Sequence, residues 1–187
     1  PQSMTWIALK EEKQLLLFTQ VVDLGLPIVM VLTMKDLAQK DNLTFDLEAL
    51  RSAWQIPILS VNARTQESIP DIISAIEKML GHPQLHTSPQ YKLSYTEQSI
   101  ANDLNTTVAT NSSYQSLLVA HYFDRLEHLS SHQKDKIRSV NISHGFNSLA
   151  SQISETMQRY DGFIPLIRKA ASAGTYKISK LSEKADV

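Results

Sequence analysis

Apolar positions recur with two different periods along this chain, which alternate over its first eighty residues before the helical one takes over. Over Lys10 to Leu24, apolar Leu16, Leu17, Val21 and Leu24 fall at helical spacing, and Gly25 supplies a C-terminal stop. Ile28 to Leu32 continues the apolar run of Leu26-Pro27-Ile28-Val29-Met30-Val31-Leu32, whose branched residues mark a parallel strand covered on both faces. Asp46 to Trp54 reads as a short helix with Leu47 and Leu50 inward, and Ile56 to Val61 as a second strand. Ile69 to Leu80 predicts an amphipathic helix, with Ile69, Ile72, Ile73, Ile76 and Leu80 on one stripe and Gly81 closing it. Strand, helix, strand, helix in that order implies a parallel sheet with right-handed crossovers.

After Gly81 the texture changes. His82 to Ser94 holds Pro83 and Pro89 among polar residues and reads as a linker. From Tyr95 onward only helical patterns are convincing. Thr96 to Thr107, Ser113 to Leu129, Ser131 to Ser143 and Asn147 to Ala171 each show apolar spacings of three and four. Ser113 and Asn147 are expected N-caps, and Gly145 ends the third of these helices. The fold class is therefore α/β followed by all-α. The predicted division is residues 1–81 as the α/β part, 82–94 as linker, 95–178 as a helical domain and 179–187 as a closing segment.

Composition narrows the class without deciding it. The 187 residues are 42% hydrophobic and 20% charged, enough for one good-sized core or two small ones. Eighteen Lys and Arg against 19 Asp and Glu leave a formal charge of -1, with no field to attract nucleic acid. Cysteine is absent, which removes disulfides and thiolate metal sites and fits a reducing compartment. No run approaches the roughly eighteen apolar residues of a membrane span. Pro1-Gln2-Ser3-Met4 lacks the basic start and apolar centre of a signal peptide, and the missing initiator Met suggests a start inside a longer product.

In doubly wound folds, ligands bind beyond the carboxyl ends of the strands. Two loops occupy that position: Thr33-Met34-Lys35-Asp36 after the first strand, and Val61-Asn62-Ala63-Arg64-Thr65 after the second. A carboxylate there can accept from both the N1-H and the exocyclic amine of guanine. Adenine lacks that donor pair and would leave the carboxylate desolvated and unpaired, a penalty that can reach orders of magnitude. Asp36 is the candidate carboxylate, and a backbone N-H near Ala63 could donate to the guanine O6. The plainer alternative is that Asp36 caps a helix and Asn62-Ala63 forms an ordinary turn. Only the two loops together, in this order and separation, favour a nucleotide.

Leu15-Leu16-Leu17-Phe18-Thr19-Gln20, Asp23-Leu24-Gly25-Leu26-Pro27, the strand, and Thr33-Met34-Lys35-Asp36 resemble the GTP-binding domain of the ferrous iron transport protein B family. Met34 and Asp36 match its Asn-Met-x-Asp loop, with Thr33 in place of Asn. Asn62-Ala63-Arg64-Thr65 resembles its Ser-Ala-Arg-Thr type loop, although Gln66 and Ser68 stand where glycines commonly follow. Tyr114-Gln115-Ser116-Leu117 with Ala120-His121, and Glu155-Thr156-Met157-Gln158-Arg159-Tyr160, resemble the helical domain that follows in that family. Lys180 to Asp186 is similar to the segment before its first membrane helix. The resemblance covers residues 15 to 187 and implies a partial Ras-like sheet followed by a small helical bundle. It further implies the cytoplasmic guanine-nucleotide-binding and regulatory region of a ferrous iron transporter, at the inner face of the plasma membrane.

What the resemblance implies about the site follows residue by residue. Thr33, Met34, Lys35, Asp36, Val61, Asn62, Ala63 and Arg64 would contact the base of GTP or GDP. The partners would be guanine nucleotide and the transmembrane domain of the same parent, with homo-oligomers formed through the parent. The chain contains no Gly-x-x-x-x-Gly-Lys-Ser/Thr, no Asp-x-x-Gly switch loop and no clear switch Thr, so the parent's magnesium ligands are absent and this chain is not expected to hydrolyse GTP. Pro1 to Lys10 does not match what precedes these motifs in the family, which points to truncation or to segments missing before about Glu12. The rival reading is a non-enzymatic interaction module that binds no nucleotide.

The remaining features have plain readings. Of six histidines, His82 and His86, and His128 and His132, are four apart, but the first pair spans Pro83 and the second a helix junction; solvated surface is the expectation. Trp54, Tyr91, Tyr95, Tyr114, Tyr122 and Tyr160 are expected to pack rather than stack on bases. Arg159, Arg168, Lys169, Lys177, Lys180 and Lys184 outnumber Asp161, Glu183 and Asp186, an excess suited to anionic headgroups or simply to a basic helix tail.

Overall fold

The computed structural model describes residues 2–33, 43–62, 68–81 and 89–173. Its chain divides into two compact units. One comprises Pro1–Leu15, Pro27–Gln84 and Phe163–Val187, the other Leu16–Leu26 and Leu85–Gly162. The segment 16–26, which sequence reading grouped with the α/β half, thus lies in the helical unit. No described helix is long and apolar enough to cross a membrane.

In the first unit, β1 (Met30–Leu32) pairs in parallel with β3 (Ile58–Ser60) in the register Met30 to Ile58, Val31 to Leu59 and Leu32 to Ser60. Between them runs α2 (Leu47–Trp54), started by the Asp46 carboxylate, which accepts from the Ala49 N-H at 3.0 Å. Gln55 stops it in the left-handed region at φ 52°, with its N-H returning to the Arg51 carbonyl. Arg51 then donates to the Ile58 carbonyl through Nε at 3.0 Å and Nη2 at 2.6 Å, tying helix to strand. Leu50, Trp54, Ile56, Ile58 and Val61 are buried.

Two expectations fail in this unit, and the helix expected over Ile69 to Leu80 forms without burying its stripe. Val31 is exposed, so β1 is not covered on both faces. No residue of α3 (Ile69–Gly81) is buried, and Ile69, Ile73, Ile76 and Leu80 stand in solvent, because two short parallel strands among the described residues cannot roof a thirteen-residue helix. A strand does occur after Tyr95: β4 (Ala171–Ala173) pairs antiparallel with β2 (Leu43–Phe45), and the Asp46 N-H donates to the Ala170 carbonyl at 2.9 Å. Three-residue strands carry no readable alternation.

The second unit holds α4 (Tyr95–Leu104), α5 (Ser113–Tyr122) with a 3-10 turn over Phe123–Arg125, α6 (Ser131–Ser143), the first part of α7 (Ser148–Ala170) and the end of α1 (Gln2–Asp23). Ser94 with Glu97 and Ser130 with Gln133 form capping boxes. Asn147 caps α7 through Ala150, whereas α5 is capped by Ser112 rather than Ser113, since it is the Ser112 hydroxyl that accepts from the Gln115 N-H. The core joins Ile100, Leu104, Val119, Ala120, Phe123, Leu129 and Ile137. A second cluster joins Tyr91, Tyr114 and Leu117, with Leu24 and Leu93 packed against it. Tyr95 and Tyr122 are exposed, contrary to a packing role.

The α1 stripe also differs from expectation. Leu17 is exposed, and the buried positions are Leu15, Thr19, Val22 and Asp23. Two of these four are polar. Apolar periodicity alone therefore selects the wrong face.

Candidate functional site

Parallel pairing starts both strand-end loops at one edge. Leu32 lies beside Ser60, and the Val61 N-H donates to the Leu32 carbonyl at 2.8 Å. Thr33 leaves β1 exposed, Val61 is buried directly after β3, and Asn62 follows half-buried. The backbone thus starts its two sequence-predicted loops as hydrogen-bonded neighbours at the carboxyl end of a parallel pair, the place where α/β folds hold ligands. Met34, Lys35, Asp36, Ala63 and Arg64 lie outside the described residues, as do His82 and His86. His128 and His132 are exposed, and no group of three or more His, Asp or Glu suited to a metal comes together among the described residues.

The helical unit contains a constellation that sequence reading did not identify. Asp23, at the end of α1, accepts from the Gln90 N-H at 2.7 Å and the Tyr91 N-H at 3.0 Å. The Ser112 hydroxyl donates to the Asp23 carbonyl at 2.7 Å. Arg159 Nη1 lies 2.7 Å from Asp23 Oδ2, and its Nε donates to Glu155 Oε1 at 2.8 Å. Neither Nη1 nor Nη2 makes a well-directed hydrogen bond among the described residues. The guanidinium lies instead over the rings of Tyr114 and Tyr91, at 4.8 and 5.5 Å from their centroids.

Tyr114 donates to Glu155 at 2.6 Å, and Tyr91 donates to both oxygens of Glu97 at 2.9 and 2.8 Å. Glu97 also accepts from the Ser94 N-H and from the Ser151 hydroxyl, which itself lies 3.3 Å from His121 Nε2. His121 Nδ1 meets Ser148 at 2.8 Å. One arginine thus serves two buried carboxylates, Asp23 and Glu155, while hydroxyl and N-H donors hold the third, Glu97.

The electrostatics follow from this layout. Burial raises Asp23 from its ordinary value, against the Gln90 N-H, Arg159 and the Tyr91 N-H. Glu97 suffers the same desolvation, yet hydrogen bonds from Ser151, Ser94 and Tyr91 bring it below its ordinary value. Burial lowers His121, although Glu155 and Glu97 pull it the other way. Desolvation and the neighbouring carboxylates push both tyrosines up. Arg159 was expected in a basic surface tail; it is buried and paired, so it adds nothing to that surface. The available signal was the i, i+4 spacing of Ser151, Glu155 and Arg159, which places all three on one helical face.

Known proteins resemble this chain over part of its length. Residues 7–76 match the family model described as ferrous iron transport protein B. The chain is 35% identical over 71 residues to the Fe(2+) transporter FeoB of Leptospira biflexa, covering 38% of this chain and 10% of that protein. It is 30% identical over 115 residues to the Fe(2+) transporter FeoB of Legionella pneumophila strain Paris, covering 61% of this chain and 14% of that protein. The chain therefore spans only between a tenth and a seventh of these curated relatives.

Among solved structures, a GDP-bound mutant NFeoB of S. thermophilus superposes with a TM-score of 0.63 at 20% identity, over 86% of this chain and 65% of that one. The cytosolic domain of L. pneumophila FeoB gives 0.58 at 21% identity, over 83% and 61%. The T. maritima FeoB cytosolic domain in its GMPPNP form gives 0.60 at 15% identity, over 86% and 63%. The fold is that of a partial Ras-like GTPase sheet with helices, followed by a helical bundle. Over residues 7–76 the chain is similar to the ferrous iron transport protein B family.

Proposed function

We propose that this chain is the cytoplasmic guanine-nucleotide-binding and regulatory region of a ferrous iron transporter, holding the base of GTP or GDP without holding its phosphates. The observation that carries this reading is the Val61 to Leu32 hydrogen bond, which starts both base-recognition loops side by side. Asp36 accepts from N1-H and the exocyclic amine, a backbone N-H near Ala63 donates to O6, and Thr33, Met34, Lys35, Val61, Asn62 and Arg64 frame the base. GDP and GMPPNP in the similar solved structures support the ligand class.

The donors for magnesium and the phosphates do not fit this chain: its sequence has no glycine-rich phosphate loop with its Lys and Ser or Thr. Residues 179–187 would lead toward the transmembrane domain of the parent, with the helical unit relaying nucleotide state. Such a relay requires contacts that differ between the GTP and GDP states.

The test is a guanosine titration followed by backbone chemical shifts, with adenosine as control. Saturable, guanine-selective shifts at residues 32–36 and 61–64, lost in Asp36→Ala, are expected. Equal response to both nucleosides, or none, would refute the reading. A second reading, an interaction module without nucleotide, is favoured by the exposed Ile69, Ile73, Ile76 and Leu80 of α3, and an absent guanosine response would select it.

A further inference from the structure

The first turn of α7 meets the end of α5 through a chain of hydrogen bonds remote in sequence from both base-recognition loops. Ser148, Ser151 and Gln152 stand at i, i+3 and i+4 and share one face of α7. His121, next to last in α5, lies against that face. Its Nδ1 is 2.8 Å from Ser148 Oγ and its Nε2 is 3.3 Å from Ser151 Oγ. Ser151 in turn donates to Glu97 of α4. All these residues belong to the helical unit.

The carboxylate fixes each proton along this chain. Although burial raises it, hydrogen bonds from Ser151, Ser94 and Tyr91 hold Glu97 below its ordinary value, so it is ionised at neutral pH and can only accept. The one hydroxyl hydrogen of Ser151 is therefore committed to Glu97, and Ser151 Oγ can only accept from His121 Nε2. Burial keeps the ring neutral against the pull of Glu155 and Glu97, which leaves Nδ1 as a bare lone pair. The Ser148 O-H donates to that lone pair, while Gln152 Nε2 donates to Ser148 Oγ at 3.0 Å. A neutral imidazole aimed at a serine hydroxyl, and oriented from behind by a carboxylate, is the arrangement that activates serine as a nucleophile.

The surroundings suit that chemistry. Asn147 satisfies the N-H groups of Ala150 and Ser151, but no hydrogen bond among the described residues uses those of Ser148 and Leu149. At a helix start such groups favour negative charge. Ser148 is half-buried between exposed Asn147 and Leu149, so a small reagent can reach its hydroxyl. The rings of Phe146 and Tyr122, 5.0 and 5.8 Å from that of His121, hold the imidazole in place. No lysine or arginine falls between Ser139 and Gln158 to retain an anionic reagent, which favours an uncharged one.

We propose that Ser148 is an acyl-accepting nucleophile with His121 as its general base, taking a small acyl group from an uncharged ester. Ser151 and Glu97 position the imidazole. Ser148 Oγ bonds to the ester carbonyl carbon as its proton passes to His121 Nδ1. The carbonyl electron pair moves onto oxygen, facing the Ser148 and Leu149 N-H groups. When that pair returns, the C–O bond to the leaving alcohol breaks and the alkoxide takes the proton from Nδ1. The products are O-acyl Ser148, one alcohol and neutral His121. Nothing in this chemistry depends on guanine binding.

The full chain mixed with p-nitrophenyl acetate should release about one equivalent of p-nitrophenol in a burst, with the acetyl group found on Ser148 by peptide mass spectrometry. Ser148→Ala should abolish the burst, and His121→Gln should slow it about 10²–10⁴-fold with unchanged circular dichroism. Ser151→Ala should slow it as well, and the ring nitrogen chemical shifts of His121 should turn from the Nε2-H tautomer to a mixture. A serine that merely packs would leave those shifts alone. Because the chain has no cysteine, Ser148→Cys gives a second reading that does not depend on the imidazole variant. It should react with iodoacetamide at least about tenfold faster than Ser131→Cys, which occupies the same first position of α6 without a bonded histidine. No burst, a burst that survives Ser148→Ala, or equal reaction of the two cysteines would overturn the proposal and leave His121 as a packing residue.

Discussion

Arg159 Nη1 stands 2.7 Å from Asp23 Oδ2, with side-chain exposures of 0% and 1%. The pair links the last turn of α1 to the middle of α7 inside the helical unit. The same carboxyl group holds the backbone of Gln90 and Tyr91, so one side chain fixes three segments distant in sequence. Taking both charges out of water costs several kcal/mol each, and the pair is favourable only because hydrogen bonds and ring faces take up the remainder.

Arg159→Met should destabilise the helical unit by about 3–5 kcal/mol, because Asp23 and Glu155 would remain buried without a cation. Arg159→Lys should recover only part of this, since a point charge cannot reach Asp23 and Glu155 in the planar geometry of a guanidinium. Urea denaturation followed by circular dichroism measures both. A loss below about 1 kcal/mol for the Met variant, the scale of an exposed pair, would show that the network is weakly coupled.

Acid should weaken the fold in two stages. The folded-state value of His121 is depressed, so below its ordinary 6.5 the unfolded chain takes a proton that the folded chain resists, and stability falls with pH. Glu97 is depressed from 4.5, and its contribution, complete at higher pH, is lost as pH falls through the folded value. Asp23, raised by burial, works in the opposite sense: its penalty appears as pH rises through the carboxylate range. Thermal melts from pH 7.5 to 5 should therefore slope downward, and His121→Gln should flatten that slope. An unchanged slope in the variant would place the titrating group elsewhere.

Two glycines should respond oppositely to alanine. Gly25 adopts φ +72°, while an added Cβ would meet Asn111 O and Ser112 Cβ at an ordinary 3.7 Å; only the backbone resists. Gly25→Ala should cost about 1–2 kcal/mol. Gly162 lies within α7 with nothing within 4 Å of its Cβ position, so Gly162→Ala should add up to about 1 kcal/mol. Melting temperatures of the two variants should move in opposite directions.

What could be read from sequence was whatever local chemistry determines. Gly145 and Asn147 mark helix ends because a cap needs only neighbours within four residues, although the same reading set the α5 cap at Ser113, one residue late. The edge that starts both candidate loops was also legible, since a branched apolar run ending in polar residues defines a strand end. The inward faces of α1 and α7 were not. Asp23, Glu155 and Arg159 look like surface residues until partners far along the chain, such as Tyr91 and Tyr114, neutralise the cost of burying them. β2 and β4 escaped for a different reason: three residues are too few to show a period.

Recognition of guanine through Asp36 is the central claim, and exchanging its acceptor for a donor tests it most directly. In Asp36→Asn the amide N-H2 would face the position of the exocyclic amine, where xanthine carries a carbonyl instead. Titrating guanosine and xanthosine into both proteins, the account predicts that the wild type prefers guanosine and that Asp36→Asn prefers xanthosine, a reversal spanning about 1–3 kcal/mol for the exchanged hydrogen bond. The same preference in both proteins, whichever base it favours, would contradict it.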